Sequence, residues 1–208
     1  MTELDADTET GTAEILRELI GRELTGARER TSLLTDCVDE ADLVRQHSPL
    51  MSPLVWDLAH IANQEELWLL REVGGRESLH PEIDPLYDAF EHPRSERPTL
   101  PLLPPDQARA YGHEVRGRVL DLLDRARFSD SGFAPGRRVG DRFAFGMIAQ
   151  HEVQHDETML ITHQIRQGAP VLAAPSPGAR RRGYAAVRGP GAGRPVHDGH
   201  LRRALGPG

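Results

Sequence analysis

The chain has 208 residues, 38% of them apolar and 27% charged, enough for one domain with a sizeable core. Its one cysteine, Cys37, excludes an intramolecular disulfide and a cysteine-built zinc site, and its helical, charged surroundings fit a plain structural residue better than a nucleophile. No apolar run approaches bilayer-spanning length, and the acidic start from Met1 to Thr10 is unlike a signal or transit peptide, so a soluble cytoplasmic protein with no membrane partner is expected.

Charge is unevenly spread. Up to Pro175 there are 18 Arg against 31 Asp and Glu, whereas from Ser176 onward 7 Arg face Asp198 alone, which together give the net charge of -7. All 25 basic residues are arginine, as a GC-rich genome favours. An acidic body argues against nucleic-acid binding.

In chain order, residues 1–11 are polar and acidic and are expected to be disordered. From Thr12 to Gln46, apolar residues recur at spacings of three, four and seven (Ile15, Leu16, Leu19, Ile20, Leu24, Leu33, Leu34, Val38, Leu43), which predicts one long amphipathic helix. Ser52-Pro53 then reads as the cap and first position of a second helix, apolar on more than one side and closed by Gly74-Gly75. Residues 76–104 form a proline-rich crossover with a short element at Asp84–Phe90, and a connection this long in a compact domain is usually functional. A third helix runs from Pro104-Pro105-Asp106 to about Arg127, and a loop from Ser129 to Gly140 leads to a fourth, Phe143–Gln167, stopped by Gly168 and Pro170. Four helices without strand alternation predict an all-α four-helix bundle with a long crossover between helices 2 and 3. That domain spans 12–170, followed by a linker and an Arg/Gly/Pro-rich, unstructured tail over 171–208.

The fourth helix carries His151-Glu152-Val153-Gln154-His155. Histidines four apart lie one turn from each other, so both rings reach one metal ion. They share a mostly apolar face with Ala144, Met147, Ile148 and Ile165, where an unpaired imidazole costs free energy. A third ligand must come from a facing helix. His163 is eight residues past His155, about 12 Å along the axis. His197 and His200 fall in the tail, and His47, His80, His92 and His113 lie at helix edges or in the crossover. His60, mid-way along the second helix, remains. Three imidazoles leave coordination positions open, a catalytic pattern, and suit Zn, Fe, Ni or Cu equally. Gln154 on the same face is placed to hold a bound water or substrate, or is a solvent-edge glutamine. Glu65, Glu152 and Asp156 are candidate acceptors for the imidazole N–H groups, or ordinary surface acids.

Three strings carry a family resemblance: Trp56-Asp57-Leu58-Ala59-His60-Ile61-Ala62 with Gln64-Glu65-Glu66, then His92-Pro93-Arg94, then Gln150-His151-Glu152-Val153-Gln154-His155 with Glu157-Thr158-Met159-Leu160. Over roughly residues 12–175 the chain resembles the DinB-like domain of the sulfoxide synthases of ergothioneine biosynthesis, the hercynine oxygenases. The resemblance implies a mononuclear non-haem Fe(2+) site on His60, His151 and His155. It implies O2-dependent joining of γ-glutamylcysteine, or cysteine, to the imidazole carbon of hercynine, giving a sulfoxide. Gln154 would contact hercynine through water, and Arg94 and Arg97 would pair with carboxylates of the thiol substrate, for which a guanidinium fork is suited. Full-length members carry a second domain, resembling formylglycine-generating enzymes, that supplies the catalytic tyrosine. No catalytic residue is therefore expected in this chain, and its activity alone should be weak or absent.

Residues 176–208 have instead the bias of GC-rich DNA translated out of frame. Back-translating Pro195–Pro207 with permitted codons and shifting one nucleotide yields P-F-T-M-G-T-S-G-E-P-W-A-L, which resembles the start of that second domain, so a frameshift product is expected there. Two other readings stand beside this one. One is a free-standing DinB-like metal-dependent thiol transferase acting on a thiol such as mycothiol, and the other is a non-catalytic helical domain.

Overall fold

The computed structural model describes residues 3–126, 128 and 141–172. The expected loop at 129–140 and the tail from 173 on lie outside the described residues. Every regular element among the described residues is helical. Helix α1 spans Glu3–Asp36, a short α2 spans Glu40–Val44, α3 spans Leu54–Glu65, α4 spans Pro105–Asp124 and α5 spans Asp141–Ile165. α1 packs against α5 and α3 against α4, with further contact of α3 on α5 and of α1 on α3 and α4. Four long helices thus enclose one main core, as the periodicity predicted.

That core is built from Leu24 of α1, Trp56 and Ala59 of α3, Val115 and Val119 of α4, and Phe145 and Ile148 of α5. Burying each large side chain contributes about 1.5–3 kcal/mol. A smaller cluster of Leu34, Leu43, Leu54, Ile61 and Met159 closes one end.

Two local expectations are corrected. The first helix begins at Glu3. The helix does not run to Gln46 but breaks after Asp36. Asp39 caps α2, its Oδ1 accepting from the Asp42 N–H at 2.8 Å, and this local bond competes with helix continuation. The break lets Leu43, fully buried, turn into the smaller cluster. Ser52 is not the cap of α3: Pro53 holds that position without a side-chain bond, and the Ser52 hydroxyl accepts from Arg97 Nη1 at 2.6 Å.

Beyond Glu65 the helix widens into a π-helical stretch, Glu66–Val73, ended by Gly74. Gly75 has φ +63, a left-handed conformation that glycine adopts without steric cost, and the chain turns there into the crossover. The crossover carries 3-10 turns at Asp84–Tyr87 and Arg97–Thr99. It is pinned over α3: the Trp56 indole N–H donates to the Leu86 carbonyl at 3.1 Å, and Asp84 accepts from Asn63 and Arg71 at 2.8 and 2.7 Å.

A buried ionic network ties all four long helices together. Arg28 of α1 bonds Glu65 Oε2 at 2.8 Å and Glu152 Oε1 at 2.6 Å. Arg116 of α4 bonds Glu65 Oε1 at 2.6 Å and Glu152 Oε2 at 2.7 Å, and its Nη1 donates to the Leu24 carbonyl. Two guanidinium groups meet two carboxylates, so the four charges sum to zero, and each carboxylate is fully buried. At Gly112, whose carbonyl accepts from Arg28 Nη1, an added Cβ would lie 3.0 Å from that nitrogen, so the guanidinium would have to shift by a few tenths of an ångström.

Candidate metal centre

Helix α3 supplies His60 and α5 supplies His151 and His155. The ring centroids lie 5.1 Å apart for His60–His151, 4.8 Å for His60–His155 and 4.6 Å for His151–His155. One ligand nitrogen from each ring falls within 4.8 Å of the others. Two imidazole nitrogens on one first-row ion sit about 3–4 Å apart, so the three rings lie close to the spacing an ion requires.

Each ring is oriented differently. His60 stacks on Trp56, centroids 4.5 Å apart and planes 14° off parallel, and its Nδ1 lies 2.7 Å from the Tyr87 carbonyl. A carbonyl only accepts, so Nδ1 carries the proton and Nε2 the lone pair. The Nδ1 of His155 lies 3.1 Å from Asp57 Oδ1. His151 Nδ1 is buried with no hydrogen-bond partner among the described residues. Three imidazoles whose ligand atoms all lie within 4.8 Å of one another fit a metal ion, and the all-nitrogen donor set suits a borderline divalent cation.

Electrostatics agree with this fit. Burial, then the neighbouring His155 and His151 rings, pushes His60 down to about 3. Burial and the His155 ring push His151 down to about 4. Both rings are neutral at physiological pH, so their lone pairs are free for a cation without displacing a proton.

The same values set a pH dependence for the metal-free chain. Both native values lie below the unfolded value of 6.5, so the unfolded state takes up protons first as pH falls. Stability is therefore full above about pH 6.5 and is lost on the way down to pH 4, on the order of 3 kcal/mol for His151 alone. Asp156 acts in the opposite sense. Burial raises it to about 6, so its contribution is present at low pH and is lost as pH rises through about 6. Urea midpoints of the metal-free chain should fall between pH 7 and pH 4.5, and a flat profile would contradict the burial of the neutral rings.

The trio opens onto a cavity of about 760 Å³, lined also by Gln154, Arg94 and Arg97. Gln154 is exposed at its edge. Arg94 is exposed, its Nη1 donating to the Leu50 carbonyl at 3.0 Å. Arg97 is buried, with its guanidinium 3.5 Å from the centroid of the Trp56 ring and its Nε donating to the His92 carbonyl at 3.0 Å.

The expected carboxylate partners of the rings are not the ones found. Glu65 and Glu152 turn away to Arg28 and Arg116, and Asp156 approaches Arg30 and Thr31. A guanidinium satisfies a buried carboxylate more fully than one imidazole N–H does. Asp57 and the Tyr87 carbonyl take the role instead. Asp57 had a signal in the sequence, as an acid amid the apolar first turns of its helix, three residues from a candidate ligand; the Tyr87 carbonyl, being main chain, had none. His163, set aside on distance, bonds the Leu34 carbonyl at 2.7 Å, and Cys37 Sγ contacts the same carbonyl at 3.4 Å.

Comparison with known proteins bears on both the fold and the site. The chain is 52% identical over 160 residues to a hercynine oxygenase of Mycolicibacterium smegmatis, with 76% of this chain and 35% of that protein covered. It is 51% identical over 167 residues to one of Mycolicibacterium thermoresistibile, covering 79% and 35%. It is 50% identical over 161 residues to one of Mycobacterium tuberculosis, covering 76% and 35%. The chain thus spans about a third of the length of the curated relatives it matches. No described helix is long and apolar enough to cross a membrane. The DinB superfamily pattern matches residues 23–159, from the middle of α1 into α5 and including His60, His151 and His155, and the chain belongs to that superfamily.

Proposed function

We propose that the chain holds one Fe(2+) ion between His60, His151 and His155, and that it forms the metal-binding part of a hercynine oxygenase. The reaction in this reading is the O2-dependent joining of the sulfur of γ-glutamylcysteine, or of cysteine, to the imidazole carbon of hercynine, with a sulfoxide as product. The observation that carries it is the convergence of three imidazoles on the wall of one cavity. The half-identical relatives named hercynine oxygenase support the choice of reaction.

When bound, iron supplies redox chemistry and an open coordination position for small molecules. The chain's own groups bind and orient. Gln154, at the cavity edge, holds a water or the hercynine imidazole near the trio. Arg94 and Arg97 receive the carboxylates of the thiol substrate. Arg97 is already ordered by Ser52 and Trp56, so little side-chain entropy is lost when a carboxylate arrives. Catalytic groups belong, in this reading, to the length of the relatives that the chain does not span. Activity of the chain alone is then low, and it works in the cytoplasm.

Anaerobic titration with Fe(2+) tests the metal reading, with one ion per chain as the expected result; failure to retain any ion would sink it. Arg94→Ala is expected to leave iron stoichiometry unchanged and to weaken γ-glutamylcysteine binding about 10-fold or more, the size of a lost charge-assisted hydrogen bond. Calorimetry on the iron-loaded chain reads this directly. An unchanged isotherm would remove Arg94 from substrate binding, and lost iron would reassign it to the site's architecture.

A further inference from the structure

Two of the three rings have an engaged Nδ1, but by acceptors of different kinds. His60 donates to a main-chain carbonyl, whereas His155 donates to the side chain of Asp57 at 3.1 Å. Asp57 is 3% exposed and sits in a wall of buried apolar residues that includes Val55, Leu58 and Ala59. A carboxylate in such a wall is costly unless it is paired and hydrogen-bonded. The neighbouring Arg97 guanidinium directs its Nε and Nη1 protons to the His92 carbonyl and to Ser52. Among the described residues, His155 gives this acid its hydrogen bond, and Arg97 is near enough to act on its charge.

A carboxylate has no proton to give, so Nδ1 of His155 is the donor and Nε2 is the lone-pair nitrogen left for an ion. Asp57 lies on α3, three residues before His60, while His155 lies on α5. We propose that Asp57 is a positioning residue: it locks His155 as the Nδ1–H tautomer and fixes the ring angle, so that α3 sets two of the three rings, one directly and one across the helix interface. The inference rests on the reading that the trio holds a metal ion. An acceptor on the far nitrogen orients a ligand ring and raises its basicity, and losing one typically weakens metal binding 10- to 100-fold.

The test has two arms. Nitrogen-15 NMR of the metal-free wild type at neutral pH reads the tautomer without any variant, and His155 is expected as Nδ1–H. A ring found as Nε2–H, or as a mixture, would overturn the proposal. In the second arm, Fe(2+) affinity is measured by competition with a chromophoric chelator for wild type, Asp57→Ala and Asp57→Asn. Asp57→Ala should bind roughly 10- to 100-fold more weakly at unchanged stoichiometry, with the His155 tautomer released. Asp57→Asn, which keeps a neutral acceptor, should recover part of the loss. Equal affinity in folded Asp57→Ala would overturn the proposal. Wild type that takes up no ion would instead defeat the metal reading, with the tautomer arm still deciding the role of Asp57.

Discussion

Replacing His151 by Ala is expected to lower Fe(2+) affinity by about 100-fold or more, beyond the range seen for loss of an outer partner, while leaving the helical fold intact. Of the three rings it is the cleanest to remove. His60 stacks on Trp56 and satisfies the Tyr87 carbonyl, so its loss would leave a buried acceptor bare. His155 satisfies Asp57. Among the described residues His151 Nδ1 has no hydrogen-bond partner, so deleting the ring orphans none of them at that nitrogen. The predicted split is therefore lost metal with an unchanged far-ultraviolet spectrum and urea midpoint. Chelator competition reads the first and denaturation of the metal-free chain the second. Unchanged affinity would show that the ion, if any, is held elsewhere.

Arg116→Leu should destabilise the fold by about 3–5 kcal/mol, because it leaves two buried carboxylates with a single guanidinium, that of Arg28, between them. Glu65 and Glu152 are fully buried and each bonds Arg116 at 2.6–2.7 Å, so neither can recover water without opening the helix interface. The surface pair Arg118–Glu114 on the same helix is the control. Its side chains are 43% and 44% exposed, and Arg118→Ala should change stability by less than about 1 kcal/mol. Urea denaturation of both variants without metal gives the comparison. Equal, small effects would mean that the network is more hydrated than its burial indicates.

The long elements were legible because helical periodicity reports burial of one face. The same signal located His60 and the His151/His155 pair on facing rods, and the structure brings these rings together. What stayed hidden depended on single polar side chains choosing among partners. Asp39 stops a helix whose apolar spacing runs on without interruption, since periodicity does not register a cap. Ser52 looked like a cap until Arg97, 45 residues away, claimed its hydroxyl. Glu65 and Glu152 resembled partners for imidazoles, but Arg28 and Arg116, spread over two other helices, compete better for them. The π-helical stretch at Glu66–Val73 follows good helix formers and has no distinguishing composition. It carries Glu66, whose Oε1 accepts from the Leu79 N–H and Oε2 from the Tyr111 hydroxyl at 2.7 and 2.6 Å, a tertiary arrangement that local propensity does not encode.

The stack at Trp56 gives the molecule an optical gauge. One indole touches both the ring proposed to meet the ion and the guanidinium proposed to meet the substrate's acid groups. Emission from that chromophore should respond to a paramagnetic cation on one neighbour and to an anion drawing charge from the other. With two tryptophans in the sequence, a Trp68→Phe background isolates the signal and lets both arrivals be timed without a label.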